Sequence, residues 1–262
     1  MKKFPKTCFS TLPCPQCSMK ELKALCDKFL IDGVEIRLED DAVIPSVTDG
    51  VNVVSFGSGV CLLSYEEEKI KRAKNILDKI ADTDVKAIRL FLGNFAVMKD
   101  SPRAALSYDG IVSALKELCD YTKKEIWIET HNEFATGKVL SKLLLDVNRE
   151  NIKIIWDVIH PIEDGETPEE TWDYIGKSIA HVHFKDGKKS ENQNKHDYDY
   201  TILGEGELPL NEILKLLQEE GFDGYISLEW ENRWREELRV YTDDIEDILQ
   251  MFKECITKGE LR

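Results

Sequence analysis

Four apolar runs in this chain each end in residues that bind metals or move protons. "IWIETHNE" ends in Glu129 and His131, "IKIIWDVIHP" in Asp157 and His160, and "YISLEWEN" in Glu229 and Glu231. The fourth run, "IAHVHFKDGKK", sets His181 and His183 two residues apart and follows them with Lys185 and Asp186. A single buried acid or histidine is usually a hydrogen-bonded core group. Four such endings are harder to explain that way, because each buried charge costs on the order of several kcal/mol unless it is paired. A divalent cation is a common partner for several carboxylates. The chemistry is available only if the four ends meet.

The elements around these runs decide that. Short β-branched or apolar runs alternate with amphipathic runs of helical period. The strand candidates are "TCFSTL", "GVEIRL", "VNVVSFG", "AIRLFLG", "IWIET", "IKIIWDV", "IAHVHF" and "YISLEW". Helical stretches follow most of them. Thr167 to Glu170 reads as a capping box, and Pro209 and Gly221 bracket the helix after the seventh strand. The connection after the second strand, "EDDAVIPSVTDG", shows little helix, and "GEGELP" reads as a turn. Eight β-then-α units in 262 residues is the length of one α/β (β/α)8 TIM barrel, a single domain over 1–262. An open doubly wound sheet lacks its Gly-rich phosphate turn here, since "STLPCPQC" stands after the first strand.

In a barrel all strands point one way and their C-terminal ends ring one face. Glu129, Asp157, His183 and Glu229 then converge. Alternation along each strand turns Trp127, His181 and Ser227 inward below them, and Val182, Phe184 and Trp230 outward. On the second strand Val34, Ile36 and Leu38 face the helices, while Glu35 and Arg37 face the lumen, as does Arg89 on the fourth. Three carboxylates and one imidazole form a hard, anionic donor set. It favours one Mn²⁺ or Mg²⁺ ion, with Co²⁺ or Zn²⁺ admitted, and a structural zinc would more often use cysteine.

The formal net charge of −15 argues against a protein that grips nucleic acid. No apolar stretch has the length of a membrane span. "MKKFPKTCFS" contains no apolar signal core, so a cytoplasmic location is expected. The seven cysteines are then reduced, and Cys14 and Cys17 are two loop thiols rather than a redox pair.

The segments "GVEIRLE", "IETH", "WDVIHP", "HVHFKD" and "LGEGELPLNEILKLLQEEGFDGYISLEWE" occur in the order and spacing of a known family. Over nearly its whole length the chain resembles the sugar phosphate isomerase/epimerase family with the xylose isomerase-like TIM barrel. The resemblance implies metal ligation by Glu129, Asp157, His183 and Glu229. It implies contact of His160 with substrate oxygens, and proton exchange by Glu129 and Glu229. Lys185 and Glu35 are further candidates for substrate binding, with Glu35 alternatively in a lumen ion pair with Arg37 or Arg89. Trp230 and Trp234 are candidates for stacking on a sugar, with packing against the outer helices the better reading for Trp230. His131 is a weaker functional candidate, His181 reads as a core histidine, and His196 as a loop residue.

The expected activity is a divalent-metal-dependent isomerase or epimerase of a sugar or sugar phosphate. It removes a proton next to a carbonyl and passes through an enediolate. A metal-dependent dehydratase of inosose or related polyols shares every motif. A non-catalytic sugar-binding barrel is the third reading. A DNA-repair endonuclease of this fold would need histidines that "VVSFGSG", "IRLFLGNF" and "YDYTILGEG" lack. The expected partner is a small-molecule sugar, with no nucleic acid and no membrane. A homo-oligomer remains open.

Overall fold

The computed structural model describes residues 5–38, 45–46, 50–95, 102–192 and 197–258. Eight parallel strands close a barrel among them: β1 (Lys6–Ser10), β2 (Gly33–Arg37), β3 (Val53–Leu62), β4 (Ala87–Leu92), β5 (Glu125–Glu129), β6 (Ile152–Asp157), β7 (Ile179–Phe184) and, after a hairpin of β8 (Asp186–Lys189) and β9 (Tyr198–Thr201), β10 (Tyr225–Leu228). The ring order is β1-β10-β7-β6-β5-β4-β3-β2. This is the (β/α)8 TIM barrel expected from the alternation of runs.

The helices are α1 (Met19–Phe29), α2 (Glu67–Ile80), α3 (Tyr108–Tyr121), α4 (Gly137–Val147), α5 (Ile159–Glu163), α6 (Pro168–Ile175), α7 (Leu210–Glu219) and α8 (Ile245–Lys258). Their apolar stripes and the outward side chains of the strands make the larger core, where Val34, Ile128, Trp156, Val182, Ile226 and Trp230 are buried. A second buried cluster fills the lumen floor with Cys8, Val54, Ala87, Trp127, Ile155 and Tyr225. The strands bury both faces, which is why they read as nearly continuous apolar runs. The inward and outward assignments made from alternation hold.

Local chemistry sets the helix ends. Thr167 and Glu170 form the capping box at α6, and Ser18 and Glu21 form a second at α1. Pro209 precedes α7, and Gly221 follows it at φ +71°, a conformation glycine adopts without strain.

Two elements differ from the sequence reading. The five-residue α5 follows β6 at once and carries His160. The polar stretch after β7, read as loop and turn, forms the β8–β9 hairpin, in which Asp186 pairs with Thr201 and Lys189 with Tyr198. Its anchor is the buried Asp186 carboxylate, which accepts from the backbone N–H groups of Gly187 (2.8 Å), Gly204 (2.9 Å), Gly206 (3.0 Å) and Leu208 (3.3 Å). Most of "EDDAVIPSVTDG", and His196, lie outside the described residues. All seven cysteines are free thiols.

Candidate metal centre and substrate cavity

Strand register brings the candidate ligands together. Asp157 pairs with His183 across β6 and β7, and His183 with Ser227 across β7 and β10, so Glu229 stands one layer above. One donor atom each from Glu129, Asp157, His183 and Glu229 lies within 4.8 Å of the others. All four residues are buried, Glu229 the most exposed at 6%.

The orientation of His183 decides which nitrogen faces the cluster. Its Nε2 lies 2.8 Å from Glu35 Oε2, and its Nδ1 lies 3.2 Å from Glu229 Oε2 and 3.5 Å from Glu129 Oε1. His183 Nδ1 is buried among the carboxylates without a well-directed hydrogen bond, whereas Asp157 Oδ2 has Lys185 Nζ at 2.7 Å. A buried nitrogen with no hydrogen bond carries an uncompensated desolvation cost that a cation bound there would relieve. Without an ion the surrounding carboxylates hold the His183 imidazole well above its usual range against the cost of burial. With a cation at Nδ1 it would keep only the N–H at Nε2, donated to Glu35, the arrangement common for metal-binding histidines. The donor set therefore fits one divalent ion. Glu35, His181 and His183 also lie close enough to hold one. That triplet has one carboxylate and needs the His183 nitrogen that Glu35 already occupies.

Cations surround the carboxylates. Arg89 Nη1 lies 2.6 Å from Glu129 Oε2. Lys185 Nζ lies 2.7 Å from Asp157 Oδ2 and 2.5 Å from Glu229 Oε2, and it also pairs with Glu231. Burial by itself raises the carboxyls of Glu129, Asp157 and Glu229. Several cations together outweigh it: Arg89 with His183 at Glu129, which falls to about 2, Lys185 with His160 at Asp157, and His183 with Lys185 at Glu229. Burial raises Glu35 likewise, and His183 and His181 hold it well below the usual carboxylate range. Burial disfavours charge on His160, yet Asp157 and Glu163 lift it to about 10. His131 is pushed down to about 4 by burial and by the charge on His160, whose ring centroid is 4.3 Å away.

The remaining candidates fall into two groups. His160 lines the cavity over the cluster; its Nε2 is 3.4 Å from Asp157 Oδ2 and its Nδ1 2.9 Å from Glu163 Oε2. His131 and Trp234 line it too. Glu35 and Lys185 do not. Glu35 lies beneath the cluster, hydrogen-bonded to His183 and 3.0 Å from His181 Nε2, with no ion pair to Arg37 or Arg89 among the described residues, and Lys185 is enclosed by its three acids. Trp230 packs into the outer core. The cavity measures about 730 Å³, inside the range of small-molecule sites.

Several contributors escaped the sequence reading. Glu163 becomes visible as a partner of His160 only once α5 is recognised, because i,i+3 spacing joins side chains on a helix. The Thr130 hydroxyl accepts from the Asp157 backbone N–H (2.8 Å) and donates to its carbonyl (3.0 Å), pinning the end of β6. Tyr200 reaches the cavity from β9, its ring under the Arg235 guanidinium at 3.9 Å.

Residues 12–255 match the model of the xylose isomerase-like TIM barrel family. The chain belongs to that family. Among curated relatives, this xylose isomerase-like chain is 23% identical over 140 residues to an inosose dehydratase of Lacticaseibacillus casei, covering 47% of each chain. It is 24% identical over 155 residues to fructoselysine 3-epimerase of Escherichia coli O157:H7, covering 56% of this chain and 53% of the relative. The chain thus spans about half the length of these two curated relatives. A solved structure of IolI protein with a bound zinc atom superposes with a TM-score of 0.76 at 20% identity over 97% of both chains, a likeness of fold. No helix among the described residues is long and apolar enough to cross a membrane.

Proposed function

We propose that the chain is a divalent-metal-dependent isomerase or epimerase that moves a proton on the carbon next to a carbonyl of a sugar or sugar phosphate. The observation that carries this reading is the convergence of Glu129, Asp157, His183 and Glu229 under a sugar-sized cavity. The fructoselysine epimerase among the relatives supports it. A bound ion, Mn²⁺ or Mg²⁺ by the hardness of the donors, supplies positive charge next to the oxygen on which enediolate charge develops.

The chain's own residues do the rest. Arg89 lies against Glu129 and Lys185 against Glu229, which keeps both ionised, so each is a ready base. One removes the substrate proton, and the other returns one on the opposite face. His160, held by Glu163 and Asp157, donates to a substrate oxygen. Glu35 acts through His183 by fixing its tautomer. Lys185 offsets the crowding of Asp157, Glu229 and Glu231 rather than meeting substrate.

A second reading, loss of water after the same proton removal, is favoured by the likeness to inosose dehydratase. Proton–deuterium exchange in D₂O, run on Mn²⁺-loaded protein with a panel of ketoses, inososes and their phosphates, tests both. Exchange without loss of water supports the isomerase or epimerase, and a dehydrated product the lyase. No exchange with any member of the panel overturns both.

A further inference from the structure

The cavity wall opposite the ligand strands carries Arg37, a cation that no carboxylate among the described residues pairs with. Arg37 ends β2, two residues beyond Glu35 on the same lumen face, and so stands roughly 7 Å nearer the mouth. Its guanidinium carbon lies 5.8 Å from the Phe91 ring centroid and 5.9 Å from that of Trp234. Among the described residues its side chain makes one long hydrogen bond, from Nη1 to the Ser58 carbonyl at 3.5 Å, while its backbone N–H is tied to Thr11 Oγ1 at 3.0 Å. Among the described residues no carboxylate pairs with it.

The other cavity arginines are different. Arg89 pairs with Glu129 at 2.6 Å, Arg103 with Glu133 at 2.7 Å, and Arg235 with Glu237 at 3.9 Å. In a chain with 50 acids against 35 lysines and arginines, a half-buried arginine with no carboxylate partner among the described residues is the exception. A guanidinium partly withdrawn from water gains most from an anion that accepts two parallel N–H bonds, as carboxylate and phosphate do. The two aromatic rings hold it in place without using those donors.

We propose that Arg37 anchors an anionic group, a carboxylate or a phosphate, at the end of the substrate remote from the reacting carbonyl. This deepens the sugar-enzyme reading and rests on it for the position of the carbonyl. Gly57 makes the geometry workable: a Cβ there would lie 3.0 Å from Arg89 Nη2, 3.3 Å from Glu35 Oε1 and 3.7 Å from Arg37 Cδ. The Arg37 side chain therefore runs one residue's width from the pairs that position the metal ligands.

The test compares three ligands on one carbon frame: D-fructose, D-fructuronate and D-fructose 6-phosphate, each titrated calorimetrically into Mn²⁺-loaded protein. Wild type should bind at least one of the two anions tighter than fructose by roughly ten- to a hundred-fold, the range for hydrogen bonds to a charged group. The larger gain distinguishes carboxylate from phosphate. In Arg37→Met the ratio of fructose to anion dissociation constants should fall towards one, and in Arg37→Lys it should fall part of the way. Wild type that binds fructose as tightly as both anions overturns the proposal whatever the variants do. So does an anion preference that survives Arg37→Met intact. A preference lost with Arg37, in protein that exchanges no substrate proton, upholds the anchor and overturns the enzyme reading. Binding of none of the three overturns both.

Discussion

At His183 the two ring nitrogens face different partners, Glu35 behind and the carboxylate cluster in front. If Glu35 sets the tautomer, Glu35→Gln, which can still accept through its amide oxygen, should weaken Mn²⁺ binding less than Glu35→Ala. The alanine variant should lose about 10–100-fold in affinity. Competition with a chromophoric chelator measures both. Equal affinities in wild type and Glu35→Ala mean that His183 needs no such partner. Glu229 poses a different problem, since it is assigned both ligation and proton transfer. Glu229→Gln keeps the shape and an oxygen donor but removes the base. With metal occupancy verified and substrate saturating, exchange should slow by ~10²–10⁴-fold. A rate equal to wild type would leave Glu229 as a ligand alone. His160→Ala should raise KM more than it lowers kcat, because its substrate contact is made before and during proton transfer alike.

Among the elements, the β8–β9 hairpin is the one whose integrity hangs on a single carboxylate and a single glycine. A Cβ on Gly206 would fall 1.9 Å from Asp186 Oδ1, so Gly206→Ala must push the anchor apart. Amide hydrogen exchange should then quicken across 186–208 while the barrel strands stay protected. Uniform protection in the variant would show that the hairpin does not depend on that contact. Thr167→Ala removes a side-chain cap from α6 and should cost about 1 kcal/mol in a denaturant titration. These two elements also mark how far the sequence can be read. The capping box is a local pattern, four residues long, and so was visible in "TPEE". The inward-facing layers were visible for a similar reason, because strand alternation repeats every two residues. The hairpin was not, since "DGKKSENQN" has neither apolar alternation nor a two-residue turn signal, and its anchor joins residues 18 to 22 positions apart. The Arg89–Glu129 pair and the Glu35–His183 bond span 40 and 148 positions. Strand patterns place such residues on the lumen face, but barrel register decides which of them touch.

At the scale of the whole molecule, stability and metal should be linked. Ligand binding to the folded state alone adds ~2.7 kcal/mol at a hundredfold excess over Kd, which for a chain of this length raises Tm by very roughly 5–11 °C. Scanning calorimetry with Mn²⁺ and with chelator reads the difference directly. Identical curves, in protein shown to take up no ion, would remove the metal centre from the account.

The ring order divides the barrel into two arcs: β5, β6, β7 and β10 carry the four candidate ligands, and β1 to β4 carry Arg37 and Phe91. The four candidate ligands thus lie in the second half of the chain and the proposed anion anchor in the first. A chimera joined in the turn between α3 and β5 could exchange the first half for that of a relative with a different preference. Among the described residues, those of the exchanged half that pair with the candidate ligands themselves are Arg89, across the β4–β5 seam, and Glu35, across the lumen. A hybrid that keeps those two side chains keeps the scaffold of its reaction while its specificity is redrawn.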